Sequence, residues 1–195
     1  PKTKRFENDF AKYKSVNYSL ALNSCTAGLH LSCLTLDLKP GDEVITTAMT
    51  FCSTVNTIIH AGGKPILIDI DPNTWNIDPS KLEEKITSRT KAIIPVHFAG
   101  RPCDMDRIIR IANKYNLKVI EDCAHAIETV YKGKKAGTIG DMGVFSFYAT
   151  KNLSVGEGGM IISDNESLIS KLKISALHGM SKDAWSRFSD DGYNH

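Results

Sequence analysis

The chain has 195 residues, 42% of them hydrophobic and 24% charged, with a formal net charge of +2. That is ordinary globular composition and enough chain for one domain with a sizeable core. The near balance of charge excludes an electrostatic pull toward nucleic acid or an anionic membrane, and no apolar run is long enough for a membrane-spanning helix.

Residues 1–14 read as a helix already under way at the first residue, with Phe6 and Phe10 four apart, which suggests further chain upstream. An apolar strand follows at 18–24. From Thr26, Leu29, Leu31, Cys33, Leu34 and Leu36 fit a buried helix with Ser24 or Thr26 as its N-cap. The turn at 39–42 opens a strand at 43–47, then a helix at 53–61 that stops at Gly62 and Gly63, then a strand at 64–70. Residues 78–84 read as a cap followed by the acidic first turn of a helix. A fourth strand and its exit span 91–100. Residues 104–116 form an amphipathic helix with Met105, Ile108, Ile109 and Ala112 on one face. A fifth strand and exit span 118–126, a glycine- and lysine-rich loop spans 133–140, and strands follow at 143–150 and 158–164. The last helix runs from 167 to about 179, and a polar segment without clear order ends the chain.

Strands alternating with helices, and strands that are nearly continuous apolar runs, predict an α/β fold with a mainly parallel sheet covered on both faces. The last two strands are joined by a loop with no crossover helix, so the seventh should run antiparallel. The five cysteines, Cys25, Cys33, Cys52, Cys103 and Cys123, are odd in number and widely spaced. They form no CxxC pair and no metal-ligand spacing, and they read as reduced thiols of a cytoplasmic protein.

In open parallel sheets the ligand site lies at the carboxyl ends of the strands. The first strand delivers Ser24 to Gly28, small residues at a helix N-terminus that can admit a phosphate or simply cap the helix. The second delivers Thr50 and Phe51; the aromatic can be core or can stack on a planar heterocycle. The fifth delivers Asp122, a carboxylate after a buried run that must find a partner, either a helix N-terminus or a ligand. The sixth delivers Ser146 and then Lys151, just before Gly156, Gly158 and Gly159. A lysine there either leaves for solvent or stays short of water, where its neutral amine attacks a carbonyl. A phosphate cradle, an aromatic plate, a buried carboxylate and such a lysine together are the set that holds pyridoxal phosphate.

The segments SCTAGLHL, GDEVITTAMTFCSTVN, PILIDIDPNTWNID, AIIPVHFAG, VIEDCAHA, GDMGVFSFYATKNLSVGEGGMI and LHGMSKDAW carry a resemblance. In order and spacing they resemble the sugar aminotransferases of the DegT/DnrJ/EryC1/StrS family, fold-type I enzymes that use pyridoxal 5′-phosphate. The resemblance implies an aspartate-aminotransferase-like, three-layer α/β/α large domain over 1–195, with a seven-stranded sheet and one antiparallel strand. It implies Lys151 as the Schiff-base lysine and proton carrier, Asp122 as partner of the pyridinium nitrogen, and Phe51 stacked on the ring. His125 would contact the ring or its 3-hydroxyl, and Ser146 with the Thr26–Ala27 backbone would hold the phosphate. His97 and His178 are further candidates near the substrate, though each also reads as a solvated loop histidine.

The implied substrates are a nucleotide-linked keto-sugar and an amino-acid donor, glutamate in the family pattern. The implied assembly is a homodimer, and no metal is called for. Relatives with histidine in place of the lysine are dehydratases, and Lys151 sets this chain apart from them. The family also has an N-terminal arm and a small C-terminal domain, of which this sequence shows little or nothing. A non-catalytic remnant that keeps the fold and the dimer surface is therefore the alternative.

Overall fold

The computed structural model describes residues 2–180. Helix α1 (Lys2–Lys14) leads into β1 (Tyr18–Leu22), and α2 (Cys25–Leu34) follows at once. β2 (Glu43–Thr47), α3 (Cys52–His60) and β3 (Lys64–Ile68) form a β-α-β unit with parallel strands. β4 (Thr90–Ile94), α4 (Met105–Tyr115) and β5 (Lys118–Asp122) form another. A small hairpin of β6 (Val130–Tyr131) and β7 (Lys134–Lys135) precedes β8 (Met142–Ser146), β9 (Gly159–Ser163) and α5 (Glu166–Ala176).

Seven strands form one sheet in the order β1-β9-β8-β5-β4-β2-β3. β9 runs antiparallel to both β1 and β8, and the remaining pairings are parallel. This is the expected architecture, with the antiparallel strand where the missing crossover placed it. The central strands are mostly apolar because both faces of the sheet are covered there, whereas the edge strand β3 is partly exposed. Val44, Ala92, Ile94, Ile120, Val144 and Ile161 share a core with Leu29 and Cys33 of α2, Ile58 of α3 and Leu172 of α5. On the other face Ile45, Ile93 and Val119 pack against Met105, Ile108, Ile111 and Ala112 of α4. Phe145, Met160 and Ile162 pack against Phe10 of α1.

The structure differs from the sequence expectations in several places. Residues 78–84 do not start an α-helix. Asp78 accepts the Ser80 N–H as a cap should, but Pro79–Lys81 and Glu83–Lys85 are two separate 3-10 turns. Ile86 is already extended, and β4 begins at Thr90, so no further helical turn fits between them. On α4, Ile111 is buried where Ile109 was expected, and Ile109 packs at the margin. The 133–140 loop is preceded by the β6–β7 hairpin, whose tip, Lys132 and Gly133, has positive φ at both residues, as a two-residue hairpin turn requires. The strand expected over 143–150 ends at Ser146. Residues beyond Met180, which include most of the LHGMSKDAW motif and the polar end segment, lie outside the described residues. Among the described residues no helix is long and apolar enough to cross a membrane.

Candidate active site

The carboxyl ends of the central strands and the N-terminus of α2 enclose a cavity of about 450 Å³. Its wall includes Thr26, Thr50, Phe51, Asp122, His125, Ser146 and Lys151. These seven residues, all singled out in the sequence, therefore meet in one place.

Asp122 closes β5 and is buried. Its Oδ2 accepts the Thr54 hydroxyl at 2.8 Å, and its Oδ1 accepts the Ala124 N–H at 3.1 Å. Thr50 Oγ1 lies 2.7 Å from Thr54 Oγ1. An ionised carboxylate only accepts, so Thr54 spends its proton on Asp122 and Thr50 must donate to Thr54. The two hydroxyls thus point in series at the carboxylate. Burial pushes the Asp122 carboxyl up, and the Thr54 hydroxyl and Ala124 N–H pull it back in part.

Lys151 is delivered by a turn and not by the strand itself. Its N–H returns to the Tyr148 carbonyl at 2.9 Å, and Phe147 pairs with Gly158 and Val155 across the loop mouth. The side chain is half-buried in the cavity wall. His125 stands on the same wall. Burial lowers its pKa, the Lys151 charge lowers it further, and Asp122 offsets part of this. Phe51 precedes α3 and is 73% exposed on the cavity rim, open to a planar ring.

At the opposite end Ser24 caps α2, its Oγ accepting the Ala27 N–H at 3.1 Å. That use takes Ala27 out of the role expected of it: its N–H is occupied and it does not line the cavity. The Gly28 N–H returns to Ser24 O, leaving the first-turn N–H groups of Cys25 and Thr26 without intrahelical acceptors. Gly159 backs this turn so closely that a Cβ would stand 2.4 Å from Ser24 C and O and 2.6 Å from Cys25 N.

His97 is corrected by the structure. It does not line the cavity, and it is not solvated; it is 1% exposed. Its Nδ1 accepts the Cys103 N–H at 3.1 Å, which leaves the ring proton on Nε2, 2.9 Å from Glu121 Oε2. Glu121 also accepts the N–H groups of Gly137 at 2.9 Å and of Ile139 and Gly140 at 2.7 Å each. Burial alone would push this carboxyl up; the His97 hydrogen bond and the N–H donors outweigh it and hold it below the usual range. His97, Glu121 and Cys123 lie close enough to suggest a metal site. Both ring nitrogens and both carboxylate oxygens are already taken, so the cluster reads as a polar core. Glu121 itself was legible: adjacent residues of a strand face opposite sides, so one of Glu121 and Asp122 had to be neutralised behind the sheet. His178 follows α5 at φ 55, exposed and outside the cavity lining.

The profile of the DegT/DnrJ/EryC1/StrS aminotransferase family matches residues 1–195. The chain belongs to this family. It is 54% identical over 98% of its length to the spore coat polysaccharide biosynthesis protein SpsC of Bacillus subtilis, covering 49% of that protein. It is 43% identical over 97% of its length to GDP-perosamine synthase of Caulobacter vibrioides, covering 51% of it. Among solved structures it matches NtdA of Bacillus subtilis with bound cofactor PMP at a TM-score of 0.89 and 39% identity, covering 100% of this chain and 43% of that one. The chain thus spans about half the length of the relatives it matches. As a member of the DegT/DnrJ/EryC1/StrS family it has the aspartate-aminotransferase-like, fold-type I architecture.

Proposed function

We propose that this chain is the cofactor-binding large domain of a pyridoxal-phosphate-dependent aminotransferase acting on a nucleotide-linked keto-sugar. The observation that carries this is the single cavity in which Asp122 and Lys151 meet beneath Phe51. The cavity falls in the range of roughly 300–1,000 Å³ typical of small-molecule sites. Its residues fit a phosphorylated pyridine aldehyde: a buried carboxylate with unspent lone pairs, an amine, an exposed aromatic ring and an open helix N-terminus. The PMP bound by NtdA is the amine form of the same cofactor.

When bound, pyridoxal phosphate would supply an aldehyde carbon and a ring that withdraws electrons from the neighbouring C–H bond. Asp122, oriented by the Thr54 hydroxyl and the Ala124 N–H, would hold the proton on the ring nitrogen. Ser146 and the Cys25 and Thr26 N–H groups would anchor the phosphate at the α2 N-terminus. Phe51 would cover one ring face and exclude water, and His125 would orient the ring edge. Lys151 would hold the aldehyde, and the same Nζ would serve as the base and acid that takes up and delivers a proton in each half-reaction, first beside the amino donor's Cα and then beside the keto carbon of the sugar. The names of SpsC and GDP-perosamine synthase support a nucleotide-linked sugar and polysaccharide biosynthesis. Glutamate as donor rests on the family resemblance alone.

The reading includes a homodimer closed over the cavity. Exposed Phe51, Tyr148, Leu153 and Val155 around the mouth and loop support that. Five free thiols, four of them buried, support a cytoplasmic setting.

Reduction with borohydride after incubation with pyridoxal phosphate, followed by peptide mapping, tests the reading. Label on Lys151, absent from Lys151→Ala, is the expected result. A protein that takes no label is the non-catalytic relative instead.

A further inference from the structure

Trp75 is an oddity of folding. It is 49% exposed, and it holds φ at +65°, a left-handed conformation that a bulky side chain adopts only under strain. Its neighbours Asn76 and Ile77 are buried, so the chain could have turned the indole inward and did not.

The ring is not loose. Its plane lies 17° from that of Phe98, with centroids 6.1 Å apart. Phe98 in turn meets the His125 ring edge-on at 6.4 Å, and both Phe98 and His125 line the cofactor cavity. The two loops that carry Trp75 and Phe98 are tied together by Asn76, which is 2% exposed. Its Oδ1 accepts the Phe98 N–H at 3.0 Å, and its Nδ2 donates to the carbonyls of Arg101 and Pro102 at 3.0 Å each. Arg101 Nη1 donates back to Asn73 O at 2.8 Å. An exposed indole and a half-buried phenyl ring are thus held together, with the exposed Arg101 nearby and Phe98 as the one ring between Trp75 and the cavity.

We propose that Trp75, backed by Phe98, is the stacking platform for the base of a nucleoside diphosphate whose sugar end enters the cofactor cavity, with Arg101 beside the diphosphate. This rests on the substrate class proposed above and assigns the residues that hold its nucleotide end. A planar base gains from an aromatic face whatever its hydrogen-bonding edge, so the platform is tolerant of the base. With Phe98 against one ring face, the open half of Trp75 is what a second planar ring would meet. The platform is preorganised, so little ordering entropy is lost on binding.

The test uses the full chain loaded with pyridoxal phosphate. The chain has two tryptophans, so a Trp185→Phe background leaves Trp75 as the sole indole reporter. UDP, GDP and dTDP are titrated against it by fluorescence and by calorimetry, with inorganic pyrophosphate as the probe that lacks a base. Each nucleotide should quench the indole. Trp75→Ala should weaken all three by about tenfold, Trp75→Phe should keep most of the affinity, and pyrophosphate should bind equally to all variants. Nucleotide affinity that is nil in the parent, or the same in Trp75→Ala, overturns the proposal. So does a loss in Trp75→Ala that pyrophosphate shares, because it would report a collapsed loop. Borohydride labelling of Lys151 is run on the same samples. Label without a Trp75 effect sinks the platform alone, whereas absence of label sinks the cofactor reading.

Discussion

Thr54 Oγ1 donates to Asp122 Oδ2 across 2.8 Å, so a residue of α3 sets the direction of the carboxylate that ends β5. A hydrogen bond to a buried charge contributes about 1.5–3 kcal/mol. Thr54→Val keeps the shape and removes the donor. Asp122 is then pushed further up, and affinity for pyridoxal phosphate, measured by equilibrium dialysis, falls about tenfold or more. The pH below which that affinity declines moves upward. Thr54→Ser restores both, which a purely packing role for Thr54 would not allow.

Glu121 makes the opposite pH statement. Its folded-state pKa lies below the ordinary value of 4.5, so the stability it contributes is present above 4.5 and is lost as pH falls through the folded value. Glu121→Gln replaces one accepting oxygen with an NH2 donor facing N–H groups that need an acceptor, and it should destabilise by about 3–5 kcal/mol at neutral pH. Urea unfolding curves of the two proteins should converge in acid. A constant gap across pH would show that charge on Glu121 contributes nothing.

Lys14 on α1 is 1% exposed. Its Nζ donates to Ile127 O at 2.8 Å and Ala136 O at 2.9 Å and sits 4.3 Å over the Phe145 ring. Burial lowers its pKa from 10.5 to about 8. Below 8 both states carry the charge and the folded state bears the full desolvation penalty. Between 8 and 10.5 the folded chain has released a proton that the unfolded chain keeps, so stability rises with pH across that window. The melting temperature of the wild type should gain on that of Lys14→Met over this range. Parallel profiles would refute the assignment.

Gly159→Ala would drive a Cβ into the Ser24 backbone, which cannot yield as a flexible side chain can. The expected outcome is a stability loss of about 1–3 kcal/mol together with weaker binding of both pyridoxal phosphate and inorganic phosphate. Gly143→Ala meets Gly137 Cα and O at 2.4 Å, behind the sheet and away from the cradle. It should lower stability while leaving the phosphate affinity of the folded fraction unchanged. Equal phosphate loss in both variants would argue against a cradle at α2.

Much of this was legible because the relevant signals are local. β2 was read to the residue, since EVITT is bounded by a turn on one side and the approach to α3 on the other. Asp122, Lys151 and Phe51 could be singled out as candidates because each ends or follows a buried strand at the carboxyl edge of the sheet. What escaped depends on partners distant in sequence. His97 reads as a loop histidine until Glu121, on the next parallel strand, is seen to need a donor. Ala27 reads as part of the cradle until Ser24 is seen to occupy its N–H. Asp78 reads as a helix cap, which it is, but nothing in the local sequence says that β4 begins too soon for the helix to continue. Trp75 carries no periodic signal, and its exposure is set by the turn at Asp71 and the tie through Asn76.

The wedging of β9 between β1 and β8 has a bearing on how the molecule comes into being. β1, which leads into the turn proposed to hold the phosphate, has β9 as its sole sheet neighbour among the described strands, and β9 is the last of those strands to leave the ribosome. A nascent chain that has passed Lys151 but not β9 already carries that lysine and Asp122, yet its first strand has no described strand to dock on. On the proposed reading the vitamin would be gripped at full strength only once β9 has been made, which ties acquisition of the cofactor to synthesis of the last described strand.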